Sequence, residues 1–291
     1  MALKVGILGA GISGIGAALL AKSRGHEVWV SDGMEIKAER KEILNQHSIP
    51  FEEKGHHLER LVACDIIIKS PGIANNSEIL QALTDAGKEI IGEIEWAYRN
   101  ADGRIIGITG SNGKTTTTGL CHHFLHEAGI DAAKVGNVGE GFCHFLAEGS
   151  ADWYVCELSS FQLEDVETFR PQVGILLNIT PDHLDRYEYS LDKYADAKMR
   201  MMQNMTEADT LIYNAMDPVT VAKVVSAATE DPGSNISADN IAKVLDTPSI
   251  AKALSESDAV SKPRATIEAQ KPVGLLAGVF GKEQIDAHGI A

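Results

Sequence analysis

The sequence predicts an α/β protein of two parallel-sheet domains, and three observations carry that prediction. Short apolar runs at 4–8, 27–31, 104–108, 153–156 and 173–177 alternate with stretches at helical spacing. Two of these runs pass directly into glycine-rich loops that open helices, the arrangement of a parallel sheet with crossover helices. At 291 residues, against roughly 150 per domain, the chain has room for about two cores.

Taken in order, the run 4–8 is stopped by Gly9, the helical stretch 15–24 is closed by Gly25, and the run 27–31 ends at Asp32. This is a β-α-β opening. Further strands at 66–69 and 89–91 flank a helix at 77–86, so residues 1–92 are assigned to the first domain. The segment 93–103, with Asn100, Asp102 and Gly103 at its end, is the expected join to a second domain over 93–291. There a strand at 104–108 leads through a glycine-rich loop into a helix at 115–128. The runs 153–156 and 173–177 end on Glu157 and Asn178, so polar residues collect at strand C-termini, the edge at which open parallel sheets bind ligands. Beyond Asn214 the texture changes: Ala, Ser, Asp and Lys dominate, and Phe280 is the only aromatic residue. Residues 215–291 read as an atypical tail, with helices expected at 218–229 and 236–254.

Twenty-six Lys and Arg against 41 Asp and Glu give a net charge of −15, which repels nucleic acid and anionic membrane surfaces alike. No nucleic-acid partner is expected. Phosphate binding must then be local, through backbone N–H groups and a few placed cations. With 44% hydrophobic and 23% charged residues the chain is composed like a folded globular protein rather than a disordered one. Cys64, Cys121, Cys143 and Cys156 form no CxxC pair, which speaks against a zinc ribbon or redox motif. The N-terminus meets glycine within a few residues, so neither a signal peptide nor a membrane span is indicated and a cytoplasmic location is expected.

Gly9-Ala10-Gly11-Ile12-Ser13-Gly14 fits GxGxxG between strand and helix, with Asp32 eighteen residues beyond Gly14. Such a loop makes a tight turn, lets backbone approach a diphosphate, and aims a helix N-terminus at its charge. It marks the first domain as Rossmann-like and leaves NAD, FAD and a UDP-linked sugar all open as ligands. The second loop, Gly110-Ser111-Asn112-Gly113-Lys114-Thr115-Thr116, is the sharper signal: glycines expose N–H groups, Lys114 can meet β- and γ-phosphates, and Thr115 can ligate Mg²⁺. It departs from GxxxxGK[ST] because Ile108 stands where the first glycine belongs. The second domain is accordingly expected to be a P-loop-type α/β domain, which the resemblance given below makes an ATPase domain.

Glu157, at a strand end, could hold Mg²⁺. The loop 178–187 packs Asp182, His183, Asp185 and Arg186 together, a density that suggests metal or phosphate work. Lys198 lies in a helical stretch, where composition alone reads it as one solvated cation. His122, His123 and His126 read as a mixed helix surface and carry no assignment.

These stretches together resemble the Mur ligases, the ATP-dependent amino-acid ligases of peptidoglycan and cell-wall synthesis. The likeness rests on residues 6–14, Ser70-Pro71-Gly72, 107–117, Glu157-Leu158-Ser159-Ser160-Phe161-Gln162-Leu163 and 178–187, and it covers about residues 1–214. The Ser-Ser-Phe-Gln stretch resembles the branch that adds D-glutamate to UDP-N-acetylmuramoyl-L-alanine. The resemblance implies a UDP-sugar in the first domain, with Ser13, Gly14, Asp32, Ser70, Asn137, Gln162 and His183 as substrate contacts. It implies ATP held by residues 110–116 and Asn178, one Mg²⁺ on Thr115 and Glu157, and a second on His183 and Lys198. Lys198 is the position this family carbamylates. Lys114, Glu157, His183 and Lys198 are the expected catalytic set, and a monomer is expected. The family's third domain, which holds the incoming amino acid, finds no match in the tail, so a family-derived protein that binds nucleotides without turnover is the alternative. An NAD-dependent oxidoreductase leaves the second loop unexplained, and folyl-polyglutamate synthesis leaves the first domain unexplained.

Overall fold

A computed structural model of the chain describes residues 2–230. The expected helix at 236–254 and most of the tail lie outside the described residues. In chain order the first elements are β1 (Lys4–Leu8), α1 (Ile12–Ser23), β2 (Glu27–Ser31), α2 (Ala38–Gln46), β3 (Phe51–Glu52), α3 (Leu58–Val62), β4 (Ile66–Lys69), α4 (Glu78–Asp85), β5 (Glu89–Gly92) and α5 (Glu93–Asn100). There follow β6 (Arg104–Thr109), α6 (Lys114–Glu127), β7 (Ala132–Gly136), α7 (Phe142–Glu148), β8 (Trp153–Glu157), α8 (Ser160–Leu163), β9 (Val173–Leu176), α9 (Leu191–Met199), β10 (Thr210–Tyr213) and α10 (Pro218–Glu230), with a short 3-10 turn at Leu184–Tyr187.

The first sheet has the order β3-β2-β1-β4-β5, with β1 parallel to both β2 (Val5 opposite Val28) and β4 (Val5 opposite Ile66). Strand order reverses at β1, so the crevice for a ligand opens where β1 and β4 end, at Gly9 and Ser70. The second sheet has the order β10-β9-β6-β8-β7, with β6 at its centre and parallel to β9. Its reversal point is the end of β6, where the second glycine-rich loop begins.

The chain forms two compact units that interleave along the sequence. One comprises residues 1–103, 134–151 and 156–169; the other comprises 104–133, 152–155 and, among the described residues, 170–230. Leu8, Leu61, Cys64, Ile67, Leu80 and Leu83 form a core cluster in the first unit, and Ile106, Ile108, Leu125, Trp153, Val155, Val173 and Ile175 form one in the second. The near-continuous apolar strands follow from burial on both sheet faces.

The segment 93–103, the expected join, begins as helix α5, which buries Glu93, Ile94, Glu95, Trp96 and Ala97 within the first unit. Both of its acids are satisfied internally. Glu95 accepts the backbone N–H groups of Glu167, Thr168 and Phe169 at 2.9–3.0 Å, the Thr168 hydroxyl at 2.5 Å and Arg99 Nε at 2.9 Å. Glu93 accepts Cys143 N–H at 2.8 Å, and burial raises its carboxyl pKa.

Cys64, Cys121, Cys143 and Cys156 are free thiols. Burial raises all four, Cys121 to about 11 and Cys143 and Cys156 well above the ordinary thiol range. Among the described residues no helix is long and apolar enough to cross a membrane.

Candidate functional site

In the first unit the loop after β1 is held shut on itself. Asp32, at the end of β2, accepts Ala10 N–H at 2.6 Å and Met34 N–H at 2.8 Å, and Arg40 Nη1 donates to Ala10 O at 3.0 Å. Ser70, directly after β4, donates its hydroxyl to Gly9 O at 3.1 Å. Gly14 sits in the first turn of α1 with no room for a side chain, because a Cβ there would lie 1.8 Å from Gly9 O. Gly14, Asp32 and Ser70 therefore converge on one loop, and Ser13 sits half-buried in the same helical turn. Arg40 was not legible in the sequence, since α2 is a mostly exposed polar helix.

Three further candidates, Asn137, Glu157 and Gln162, lie in this unit, and the first two meet at the end of β8. Glu157 is 2% exposed; its Oε1 accepts from Asn137 Nδ2 at 2.9 Å, and its Oε2 is buried with no hydrogen-bond partner. A buried carboxylate oxygen left unpaired is costly, and it is the donor type that a hard divalent cation takes. The residues present thus fit a Mg²⁺ ligand. Gln162 closes a capping box on α8: its Oε1 accepts Ser159 N–H at 3.0 Å while its own N–H donates to Ser159 Oγ at 3.3 Å.

In the second unit the loop after β6 is built around Gly110 and Ser111. Gly110 has φ +151°, and a Cβ would lie 2.9 Å from Leu177 Cβ. Ser111 N–H donates to Asn178 O at 2.9 Å; Asn112 N–H donates to Asn178 Oδ1 at 2.9 Å, and Asn178 Nδ2 returns to Asn112 O at 3.0 Å. Ser111 Oγ donates to Thr180 O at 2.8 Å, accepts Thr180 N–H at 2.9 Å and lies 3.1 Å from the Tyr194 hydroxyl. Asn178 is therefore the organiser of the loop. Gly113 caps α6, and Thr115 and Thr116 stand exposed on its first turn.

Two lysines meet at this loop. Lys114 Nζ donates to Gly110 O at 2.8 Å and to Ser111 O at 3.0 Å, and Lys198 Nζ donates to Gly110 O at 3.0 Å. Lys198 is 1% exposed on α9, with its Nζ 4.5 Å from the centre of the Tyr194 ring. The reading of Lys198 as a solvated surface cation is thereby corrected. Burial first, and the Lys114 ammonium second, bring Lys198 down to about 7, with Asp182 opposing.

His183 occupies the position before the 3-10 turn with φ +48°, 58% exposed, its Nε2 3.7 Å from Asp182 Oδ2. A left-handed histidine is a strained placement of the kind that accumulates at functional sites. His122 bonds Ala132 O at 3.1 Å, while His123 and His126 are exposed.

Two parallel sheets, each opening a glycine-rich loop at its reversal point, and a lysine pair on the second loop define a phosphate-binding α/β protein. The Mur ligase middle domain matches residues 108–273 and the MurD N-terminal domain matches residues 4–79. The chain belongs to the Mur ligase family. It is 46% identical over 217 residues to the UDP-N-acetylmuramoylalanine–D-glutamate ligase of Christiangramia forsetii, covering 75% of this chain and 49% of that protein. To the ligase of the same name from Bacteroides thetaiotaomicron it is 47% identical over 217 residues, covering 74% and 49%. The chain thus spans about half the length of the curated relatives it matches. Among solved structures, the UDP-N-acetylmuramate:L-alanyl-γ-D-glutamyl-meso-diaminopimelate ligase of Neisseria meningitidis shares the fold, with TM-score 0.57, 18% identity and coverage of 78% of this chain and 75% of that one.

Proposed function

We propose that the chain carries the UDP-sugar and ATP sites of an ATP-dependent ligase that adds D-glutamate to UDP-N-acetylmuramoyl-L-alanine in peptidoglycan synthesis. The observation that carries this reading is Lys198: a buried lysine on a separate helix, brought near neutrality, whose amine touches the carbonyl of the phosphate loop. An ordinary phosphate loop has no use for such a group. Carbamylated, it becomes an anionic ligand beside bound nucleotide.

In this reading the alanyl carboxylate attacks the γ-phosphorus of ATP, giving an acyl phosphate and ADP, and the amine of D-glutamate then displaces phosphate. The N–H groups of residues 110–116 cradle the phosphates, and Lys114 exchanges its two neutral carbonyl acceptors for charged phosphate oxygens. Asn178 keeps the loop in shape, so little reorganisation accompanies binding. Thr115, Glu157, His183 and carbamylated Lys198 are the proposed Mg²⁺ ligands; when bound, Mg²⁺ neutralises charge building on the transferring phosphoryl group. Ser13, Gly14, Asp32, Ser70, Asn137, Gln162 and His183 are the proposed contacts of the UDP-sugar. A cytoplasmic setting is proposed because the reaction draws on ATP.

The test is ADP release with ATP, Mg²⁺ and UDP-N-acetylmuramoyl-L-alanine, with and without D-glutamate. D-glutamate-dependent release is the expected result. Saturable binding of the UDP-sugar without release would select the alternative of a family protein that binds without turnover, and absence of both would overturn the reading.

A further inference from the structure

Lys69 ends β4 after three isoleucines, and it is 1% exposed. Its Nζ donates to Ile73 O at 3.2 Å and Asn75 Oδ1 at 2.5 Å, and lies 2.8 Å from Asp165 Oδ2, off the line of a good hydrogen bond. Two of these acceptors belong to the turn that follows Ser70-Pro71-Gly72. The third stands two residues beyond α8, three beyond Gln162. Asn75 extends the link, donating from Nδ2 to Glu164 Oε2 at 3.4 Å. Asp165 O also accepts Gly92 N–H at 3.1 Å, and a Cβ on Gly92 would lie 2.9 Å from Asp165 Cβ, so β5 and this segment meet backbone to backbone. All of these residues lie within the first unit.

A buried ion pair is a poor device for stability, because apolar residues of similar volume do as well or better at such positions. An ammonium with two hydrogen-bonded carbonyl acceptors on one segment and a carboxylate 2.8 Å away on the other does something an isoleucine cannot: it ties the two segments together at a set distance. We infer that Lys69 is a positioning residue for the UDP-sugar, holding the turn that bears Ser70 and the segment that bears Gln162 in one fixed geometry. The role rests on the substrate reading above, in which Ser70 and Gln162 contact the same ligand. Ser70 also grips Gly9 O, so the turn that Lys69 holds is the one that supports the first glycine-rich loop. On this inference Gln162 stands against the part of the ligand beyond its diphosphate, which UDP lacks. Loss of Lys69 therefore weakens the whole UDP-sugar more than UDP alone.

The experiment is calorimetric titration of the full chain with UDP-N-acetylmuramoyl-L-alanine and, separately, with UDP. Lys69→Met keeps the length and removes the charge; it is expected to lose about 10-fold in affinity for the UDP-sugar, the size of one hydrogen bond to a charged group, and less than about 2-fold for UDP. Lys69→Arg is expected to restore part of the loss. Asp165→Asn and Asn75→Ala each weaken one link and are expected to lose about 3-fold, which keeps the inference testable if Lys69→Met does not fold. Equal losses for both ligands, or a lowered thermal midpoint with unchanged affinities, would make Lys69 a structural pin and overturn the inference. So would wild-type affinity for both ligands in the variants. A wild-type chain that binds neither ligand would instead overturn the substrate reading on which the role depends.

Discussion

The two glycine-rich loops are built on one plan and held by opposite means. In the first, one residue is gripped from both sides: Asp32 takes the N–H of Ala10 and Arg40 donates to its carbonyl. In the second, the carbonyl of Gly110 receives two lysines at once, while asparagine and threonine partners shape the turn. A carboxylate at the first loop disfavours further negative charge beside it, so the diphosphate proposed there would depend on backbone N–H groups, the helix terminus and one arginine. The second loop brings two lysine side chains to one carbonyl, and in the proposed reading they divide the work: Lys114 meets the triphosphate as a cation, while carbamylated Lys198 is an anionic metal ligand. The difference teaches that a strand, a glycine turn and a helix make a phosphate site possible, and that the partners of the turn decide whether it holds a phosphate or transfers one.

Four changes would break or sharpen this contrast. Lys114→Ala should reduce ATP-dependent ADP release by about 1,000-fold while leaving UDP-sugar affinity nearly intact; joint loss of both in a folded variant would erase the distinction between the loops. Lys198→Ala should lose about 100-fold and regain part of it with added acetate or formate. Because only the neutral amine reacts with carbon dioxide, a carbamate signal in ¹³C-bicarbonate should grow as pH rises through about 7 and fade below it; a pH-independent signal, or none, would remove the carbamate from the mechanism.

Gly14→Ala should cost about 3 kcal/mol in urea denaturation, because the added methyl meets backbone rather than a movable side chain. UDP-sugar binding should fail in this variant before ATP binding does. Glu95→Gln should cost about 2 kcal/mol. Burial alone would raise the Glu95 carboxyl, but the bonds from Thr168, Glu167 and Arg99 outweigh it and hold the pKa below the ordinary glutamate value. Its stabilisation is thus complete above the ordinary glutamate range and is lost as pH falls through the lowered value. The variant should flatten that acid limb of the stability curve, and an unchanged limb would refute the assignment.

Strands and loops were legible where apolar runs met glycine, as at Leu8–Gly9 and Thr109–Gly110. The elements between residues 33 and 63 were not, because β3 is two residues long and α2 buries only Leu44, leaving periodicity nothing to report. The burial of Glu93 and Glu95 in helix α5 carried no local sign either, because their partners at 143 and 167–169 are remote in sequence. At the site, residue types gave Lys114 and Glu157 directly. Lys198 came only through family likeness, since a lone lysine in a helix carries no local sign that its amine will be desolvated. Lys69 and Arg40 had signals too faint to separate from ordinary charged residues, although a lysine closing three isoleucines is an unusual end for a buried strand.

The elevated thiols have a practical consequence. Alkylating and disulfide reagents attack the thiolate, and all four cysteines are held toward the protonated form. Labelling of the buried Cys64, Cys143 and Cys156 in native buffer is therefore gated by breathing of the surrounding structure rather than by reagent strength, while the half-buried Cys121 is slowed by its raised pKa. Cys64, Cys143 and Cys156 belong to one compact unit and Cys121 to the other. The order in which mass tags accumulate on the three buried thiols is a built-in clock for which part of their unit loosens first, and a nucleotide that slows one tag and spares the others reports its own address.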